Sequence, residues 1–284
     1  TRLPITGVSV LIAVSFQGAL LRAAETQPPA ALFAMCHDTH DARQRTLSEQ
    51  AEMLAELGFD GAGHLWFGGV EERLKTLDEH ALRLFQIYER VNLAASPPYD
   101  TQRLDQLLPV LKGRNVQIAL LFGGGAPSDD SLDDRAVEIL RAMADKAAGY
   151  GVVLVLYPHR HNWVETVDDG LRVARKVERE NLGVVFNLCH WALVDREENL
   201  KLLLERAMPH LLCVTINGSD SPAAVKTPGG KWIAPLDEGD YDVQRLVRLL
   251  EILDIGERSV CSAIDQYHSV SKAAGGTASP DLGH

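Results

Sequence analysis

Two stretches of the chain, VVLVLYPHRHNW at 152–163 and NLGVVFNLCHW at 181–191, end alike: a β-branched apolar run, then histidine beside polar or aromatic residues. His159, His161 and His190 are side chains that titrate at about pH 6.5 when unperturbed. In this pattern they can hold a metal, act as acids and bases in a metal-free sugar pocket, or tie down loops. Tyr157 and Asn187, at matching depth in the two runs, can hydrogen-bond sugar hydroxyls but are poor ligands for a hard cation. Among carboxylates, Glu89 is the best candidate for proton transfer, although a surface pair with Arg90 explains it as well. Trp66 and Trp191 offer flat faces for a sugar ring or for packing. The glycines of 123–125 can approach a phosphate with bare amides or simply turn the chain. Lys231-Trp232 follows a second glycine pair in KTPGGKW.

The elements that must position these residues repeat one pattern from residue 31 on: a short apolar strand, a polar loop, then an amphipathic helix closed by glycine. Strands are expected at 31–36, 59–66, 83–88, 116–122, 151–157, 182–188, 211–217 and 259–264. TLSEQAEMLAELG opens with Thr46 and Glu49 at capping-box spacing, sets Leu47, Ala51, Leu54 and Leu57 on one face, and stops at Gly58. Ser131 with Asp134, and Thr166 with Asp169, repeat the device, and YDVQRLVRLLEILDIG closes at Gly256. Strands apolar throughout and alternating with helices require a parallel sheet covered on its outer face. Eight such units fit a closed (β/α)8 TIM barrel of the α/β class, and no GxGxxG follows the first strand. The site then lies at the C-terminal strand ends, which gather His37, Trp66, Glu89, Tyr157, His159, Asn187, His190 and Asn217. His210 precedes strand seven and reads as structural.

Composition narrows the partners. A net charge of −11 and a pI near 5.4 argue against nucleic acid, which needs clustered Lys and Arg. Cys36, Cys189, Cys213 and Cys261 form no CxxC and read as small buried residues. Residues 1–30 hold the apolar run VSVLIAVSFQGALL and then RAAETQPPA, a signal-like segment and linker that predicts export to the periplasm or outside the cell. Arg22 and Leu21 depart from the cleavage consensus, and the alternative is an amphipathic part of the fold in a cytoplasmic protein. The run is too short for a stable membrane span. The barrel is expected over 31–265. Residues 266–284 lack helical periodicity, so helix eight is expected to be atypical or missing, which would expose strands and invite self-association into a homo-oligomer.

LYPHRHNWVETVDDGLRVARKV, NLGVVFNLCHW, AMPHLLCVTINGSD and PLDEGDYDV together resemble the sugar phosphate isomerase/epimerase family, with its xylose isomerase-like TIM barrel, over about residues 31–256. The resemblance implies a small carbohydrate or sugar phosphate as substrate and one divalent cation, Mn, Mg or Zn. It places the family's strand-five Glu at Tyr157, its strand-six Asp at Asn187 and its strand-seven His near Thr215 or Asn217. His190 matches the histidine after the strand-six ligand, and Asp265 is the carboxylate nearest the missing strand-eight Glu. The metal cage is thus largely replaced, leaving His159 and His190 as weak ligands. The implied reaction is proton transfer beside a carbonyl, with His159, His190 and Glu89 as catalytic candidates. Tyr157, Asn187, Asn217, His37, Trp66 and Lys231 are the candidates for binding substrate. The alternative is a non-catalytic carbohydrate-binding or accessory protein on the same barrel. A metal-dependent apurinic endonuclease is disfavoured by the charge and by the replaced ligands.

Overall fold

The computed structural model describes residues 31–35 and 43–253, and the backbone of the strand at 261–264. Eight parallel strands run β1 Leu32–Ala34, β2 Gly61–Leu65, β3 Arg83–Asn92, β4 Gln117–Gly123, β5 Val153–Leu156, β6 Leu182–Asn187, β7 Leu211–Ile216 and β8 Cys261–Ile264. They pair in sequence order, and β1 pairs with β8 to close the barrel. The helices are α1 Leu47–Glu56, α2 Val70–Glu79, α3 Thr101–Leu111, α4 Asp133–Ala148, α5 Val167–Val177, α6 Leu188–Val194, α7 Leu200–Ala207 and α8 Val243–Ile252. No helix among the described residues is long and apolar enough to cross a membrane. The segment 1–30, on which the export expectation rests, and the tail expected to lack helix eight both lie outside the described residues.

Local chemistry sets the helix starts. The Thr46–Glu49 and Thr166–Asp169 capping boxes both form, each satisfying two backbone donors that a helix start leaves open. At α1 the chain leaves the helix through Gly58 at φ +78°, but Leu57 lies just past the helix end and is exposed rather than buried with its face. The cap expected at Ser131 is displaced. Asp129 accepts from the Ser131 amide and starts a 3-10 turn, Asp130–Leu132, and α4 follows with no side-chain cap.

Two apolar layers result, one between strands and helices and one inside the barrel. The inner layer holds Phe33, Met35, Phe85, Tyr88, Ala119, Val155, Tyr157, Val185 and Cys213. Phe85 and Tyr88 are three residues apart and would fall on opposite faces of a regular strand. They share the interior because the register slips between Ala62 and Gly63, leaving Phe85 as the extra residue of a bulge. Beyond it, Gln86 and Tyr88 face inward, while Ile87 and Val91 belong to the outer layer. Inside, the Gln86 amide donates to Gln117 Oε1 at 2.7 Å, and the Tyr88 hydroxyl donates to Gln86 Oε1 at 2.8 Å. These buried polar groups are therefore hydrogen-bonded as burial demands.

Candidate functional site

β5 extends one ladder step to Tyr157, whose amide donates to the Leu120 carbonyl at 3.0 Å. The chain then loops through His159, whose amide donates to the Val164 carbonyl at 3.1 Å. Trp163 fixes this loop from below. Its amide donates to the Phe122 carbonyl at 2.8 Å, and its indole N–H donates to the Asp129 carbonyl at 2.6 Å. Asp169 holds the loop's far end by accepting from Ser128 Oγ at 2.7 Å, Thr166 Oγ1 at 2.8 Å and Arg172 at 2.5 Å.

On the next strand Asn187 is the N-cap of α6. Its Oδ1 accepts from the His190 amide at 3.2 Å and from the Cys189 thiol at 2.9 Å, while its amide donates to the Tyr157 hydroxyl. One asparagine therefore joins β5 to the helix that carries His190. The ring of His190 comes to rest 3.9 Å from that of His159, centroid to centroid, with the planes tilted by 43°. Tyr157 stands edge-on to His190 at 6.2 Å, and Trp232 lies 6.0 Å away.

The backbone of Arg160 sets the tautomer of each imidazole. His159 Nδ1 lies 2.8 Å from the Arg160 carbonyl, which can only accept, so this nitrogen carries the proton and Nε2 keeps its lone pair. The Arg160 amide points at His190 Nδ1 at 3.4 Å and can only donate, so in His190 the proton sits on Nε2. Burial pushes His190 well below the usual histidine range, with His159 and Arg160 adding to it. Burial also lowers His159, helped by His161 and Arg90 and opposed by the Arg160 carbonyl. Both rings are thus neutral near pH 7. They present one basic nitrogen and one N–H donor side by side.

The other expected site residues divide. Asn217 is buried, and its amide donates to the Gly218 and Trp232 carbonyls at 2.7 and 2.9 Å, holding the β7 loop that carries Trp232. Lys231 turns to Glu238, 3.4 Å away. Trp66 has φ +66° and carries the Arg90 guanidinium over its ring at 4.1 Å. Trp191 packs between Phe186 and Tyr241. By the alternation of β3, Glu89 falls with Ile87 and Val91 on the helix-facing side, where burial pushes its carboxyl up to about 7. Two glycines of the run serve packing: a Cβ on Gly124 would stand 2.1 Å from Asn92 Oδ1, and one on Gly125 would stand 2.4 Å from Leu132, whereas one on Gly123 would meet nothing within 4 Å. His210 sits half-buried before β7, away from the mouth. His37 and Asp265 lie outside the described residues. Arg90 and the backbone of Arg160 are the parts that residue types did not single out.

Among the described residues no three His, Cys, Asp or Glu side chains group so as to hold a metal ion. The hydroxyl and amide where the family carries acids are bonded to each other. This donor set does not fit a hard cation, which selects carboxylate oxygens.

Residues 51–263 match the xylose isomerase-like TIM barrel family. The chain belongs to that family. Among solved xylose isomerase-like barrels it is similar to a probable 3-DHS dehydratase of petrobactin synthesis from Bacillus anthracis, with a TM-score of 0.66, 15% identity, and 85% of this chain and 95% of that one covered. It is also similar to 3-keto-D-glucoside 4-epimerase from E. coli, at 0.64 and 14%, covering 84% and 92%. A third barrel, from Mycobacterium smegmatis and in complex with magnesium, matches at 0.61 and 15%, covering 86% and 94%. At these identities the likeness is one of fold. No curated protein matches the chain.

Proposed function

We propose that the barrel mouth binds a small carbohydrate and moves a proton at the carbon beside its carbonyl, as a sugar isomerase or epimerase does. The observation that carries this reading is the histidine pair locked in opposite tautomers by the backbone N–H and C=O of one residue, Arg160. His159 Nε2 takes the proton as the C–H bond breaks. The electron pair moves into the new C–C double bond while the carbonyl oxygen gains charge, and His190 Nε2–H hydrogen-bonds to that oxygen. Return of a proton to the opposite face of that carbon gives the epimer, and return to the former carbonyl carbon, with the neighbouring hydroxyl proton passing to the former carbonyl oxygen, gives the isomer. Two neutral imidazoles suit this work, because a base with a lowered pKa is unprotonated at neutral pH. Trp232, 6.0 Å from His190 and only part-buried, is available to a sugar ring face. The epimerase among the similar barrels supports the reaction class.

The test follows deuterium entering the carbon beside the carbonyl of D-fructose and other small ketoses in heavy water, by NMR, with chelator present. Native protein is expected to wash in the label, and His159→Asn to lose the rate by about 10²–10⁴-fold, the usual weight of a positioned base. Undiminished exchange in that variant would overturn the assignment. A second reading, a non-catalytic carbohydrate-binding protein, draws on the Tyr157–Asn187 bond, which closes the two family ligand positions on each other. Sugar binding with no deuterium entry in native protein would favour it.

A further inference from the structure

We infer that the mouth also contains an oxyanion subsite, in which Arg90, held over Trp66, receives a carboxylate or a phosphate ester carried by the sugar. The inference rests on the carbohydrate reading above and adds the class of substrate.

Placement comes first. Past the bulge at Phe85, the interior side of β3 carries Gln86, then Tyr88, then Arg90. Tyr88 meets Tyr157 edge-on at 5.4 Å, and Tyr157 meets His190. Arg90 is the next step toward the open end, and its charge is felt at His159. The second observation is the stacking. The Trp66 amide donates to the Tyr88 carbonyl at 2.9 Å, which fixes the indole beside β3, and the guanidinium lies 4.1 Å above the ring. Stacking covers a face of the planar cation and leaves its edge of N–H donors open, the geometry that meets an oxyanion with two parallel bonds.

The third observation is a contrast. Many of the other arginines are matched to carboxylates, as in Arg103–Glu71, Arg114–Asp78, Arg179–Asp145 and Arg206–Asp168, whereas Arg90, like Arg83 over Phe85 at the opposite end of β3, is left to an aromatic ring. In a chain of net charge −11 acids are in surplus, yet among the described residues no carboxylate lies within ion-pair distance of Arg90. A cation left to an aromatic ring, above a layer of neutral donors, divides the work. Tyr157, Asn187 and His190 suit hydroxyls and a carbonyl, and Arg90 suits a charged substituent. Lys231 does not compete, being paired with Glu238. Gly124 and Gly125 are held against their own neighbours.

The experiment titrates the full chain calorimetrically at low ionic strength with D-fructose, D-glucuronate, D-fructose 6-phosphate and inorganic phosphate. At least one anionic sugar is expected to bind about ten-fold or more tightly than D-fructose, and which one distinguishes carboxylate from phosphate. Arg90→Gln is expected to reduce that sugar to the D-fructose level and leave D-fructose binding within about two-fold. Arg90→Lys, which keeps the charge without the planar fork, should retain part of the preference. Arg90 is exposed, so both variants should melt with the native protein. D-fructose binding with no preference for anions overturns the subsite and leaves the carbohydrate reading standing. A preference that survives Arg90→Gln, or falls only in Arg160→Gln, also overturns it. Phosphate binding that needs Arg90 while no sugar binds supports the subsite and removes the carbohydrate reading instead.

Discussion

His64 and His159 both stand at the C-terminal end of a barrel strand, and their surroundings are opposite. His64 faces the helices. Its Nε2–H donates to the Gly68 carbonyl at 2.6 Å, and its Nδ1 accepts from Arg73 Nε at 3.3 Å. Arg73, wholly buried, reaches on to Gln50 Oε1 at 2.7 Å. Protein groups thus satisfy both nitrogens of His64. His159 and His190 face the barrel mouth, and the hydrogen bonds to the Arg160 backbone use one nitrogen of each. An imidazole satisfied on both sides is part of the structure, whereas one satisfied on a single side is oriented and still available. The direction in which the strand end points decides between the two.

The largest expected effects test this division directly. His159→Asn should lower ketose deuterium exchange by about 10²–10⁴-fold while changing stability by about 1 kcal/mol or less, since it removes no closed network. Arg73→Met should do the reverse. Leaving the buried Gln50 and His64 acceptors without their donor costs about 1–3 kcal/mol, read as a lower urea midpoint, with exchange per folded molecule little changed. If Arg73→Met shifted the midpoint by less than about 1 kcal/mol, or His159→Asn unfolded the protein, the two clusters would not differ in kind.

The sequence discloses the barrel because its signals are local. Apolar runs, the Thr46 and Thr166 capping boxes and the loop glycines each act within a few residues, and alternating such units leaves few other topologies. The histidine pair is legible for the same reason, since strand ends mark the mouth. What stays hidden depends on register and backbone. Nothing in RLFQIYERVN shows that Phe85 is the extra residue of a bulge, and that slip determines which of Glu89 and Arg90 faces the mouth. Asp129 displaces Ser131 as a cap because it begins a separate 3-10 turn that composition does not reveal. The tautomers rest on the backbone of Arg160, whose N–H and C=O any residue but proline would supply.

A smaller effect sharpens the mouth side of the comparison. Tyr157→Phe removes the acceptor of the Asn187 amide, and a buried donor left unpaired costs about 1–3 kcal/mol. Thermal melts should show this loss. An unchanged melting temperature would mean that solvent already reaches this pair, making the mouth wetter than the burial of Tyr157 and Asn187 implies.

The smallest expected effect concerns pH and separates Glu89 from the two histidines of the mouth. Burial raises the folded-state pKa of Glu89 from 4.5 to about 7. Its neutral form is thus favoured by the fold, and its contribution to stability is fully present below pH 4.5 and lost as pH rises through about 7. The histidines act in the opposite sense. Their folded-state values lie below the ordinary 6.5, so their contribution is present above pH 6.5 and lost as pH falls toward those lowered values. Stability is therefore eroded on the alkaline side by one strand-end group and on the acid side by two others. Glu89→Gln keeps an uncharged side chain of similar shape and abolishes only the alkaline erosion. Relative to native protein it should gain about 1 kcal/mol between pH 5 and pH 8, a few degrees in melting temperature, while the acid-side loss persists. Melting curves that stay parallel from pH 5 to pH 8 would show that the Glu89 carboxyl ionises freely, and hence that the helix-facing side of β3 is as open to water as the mouth.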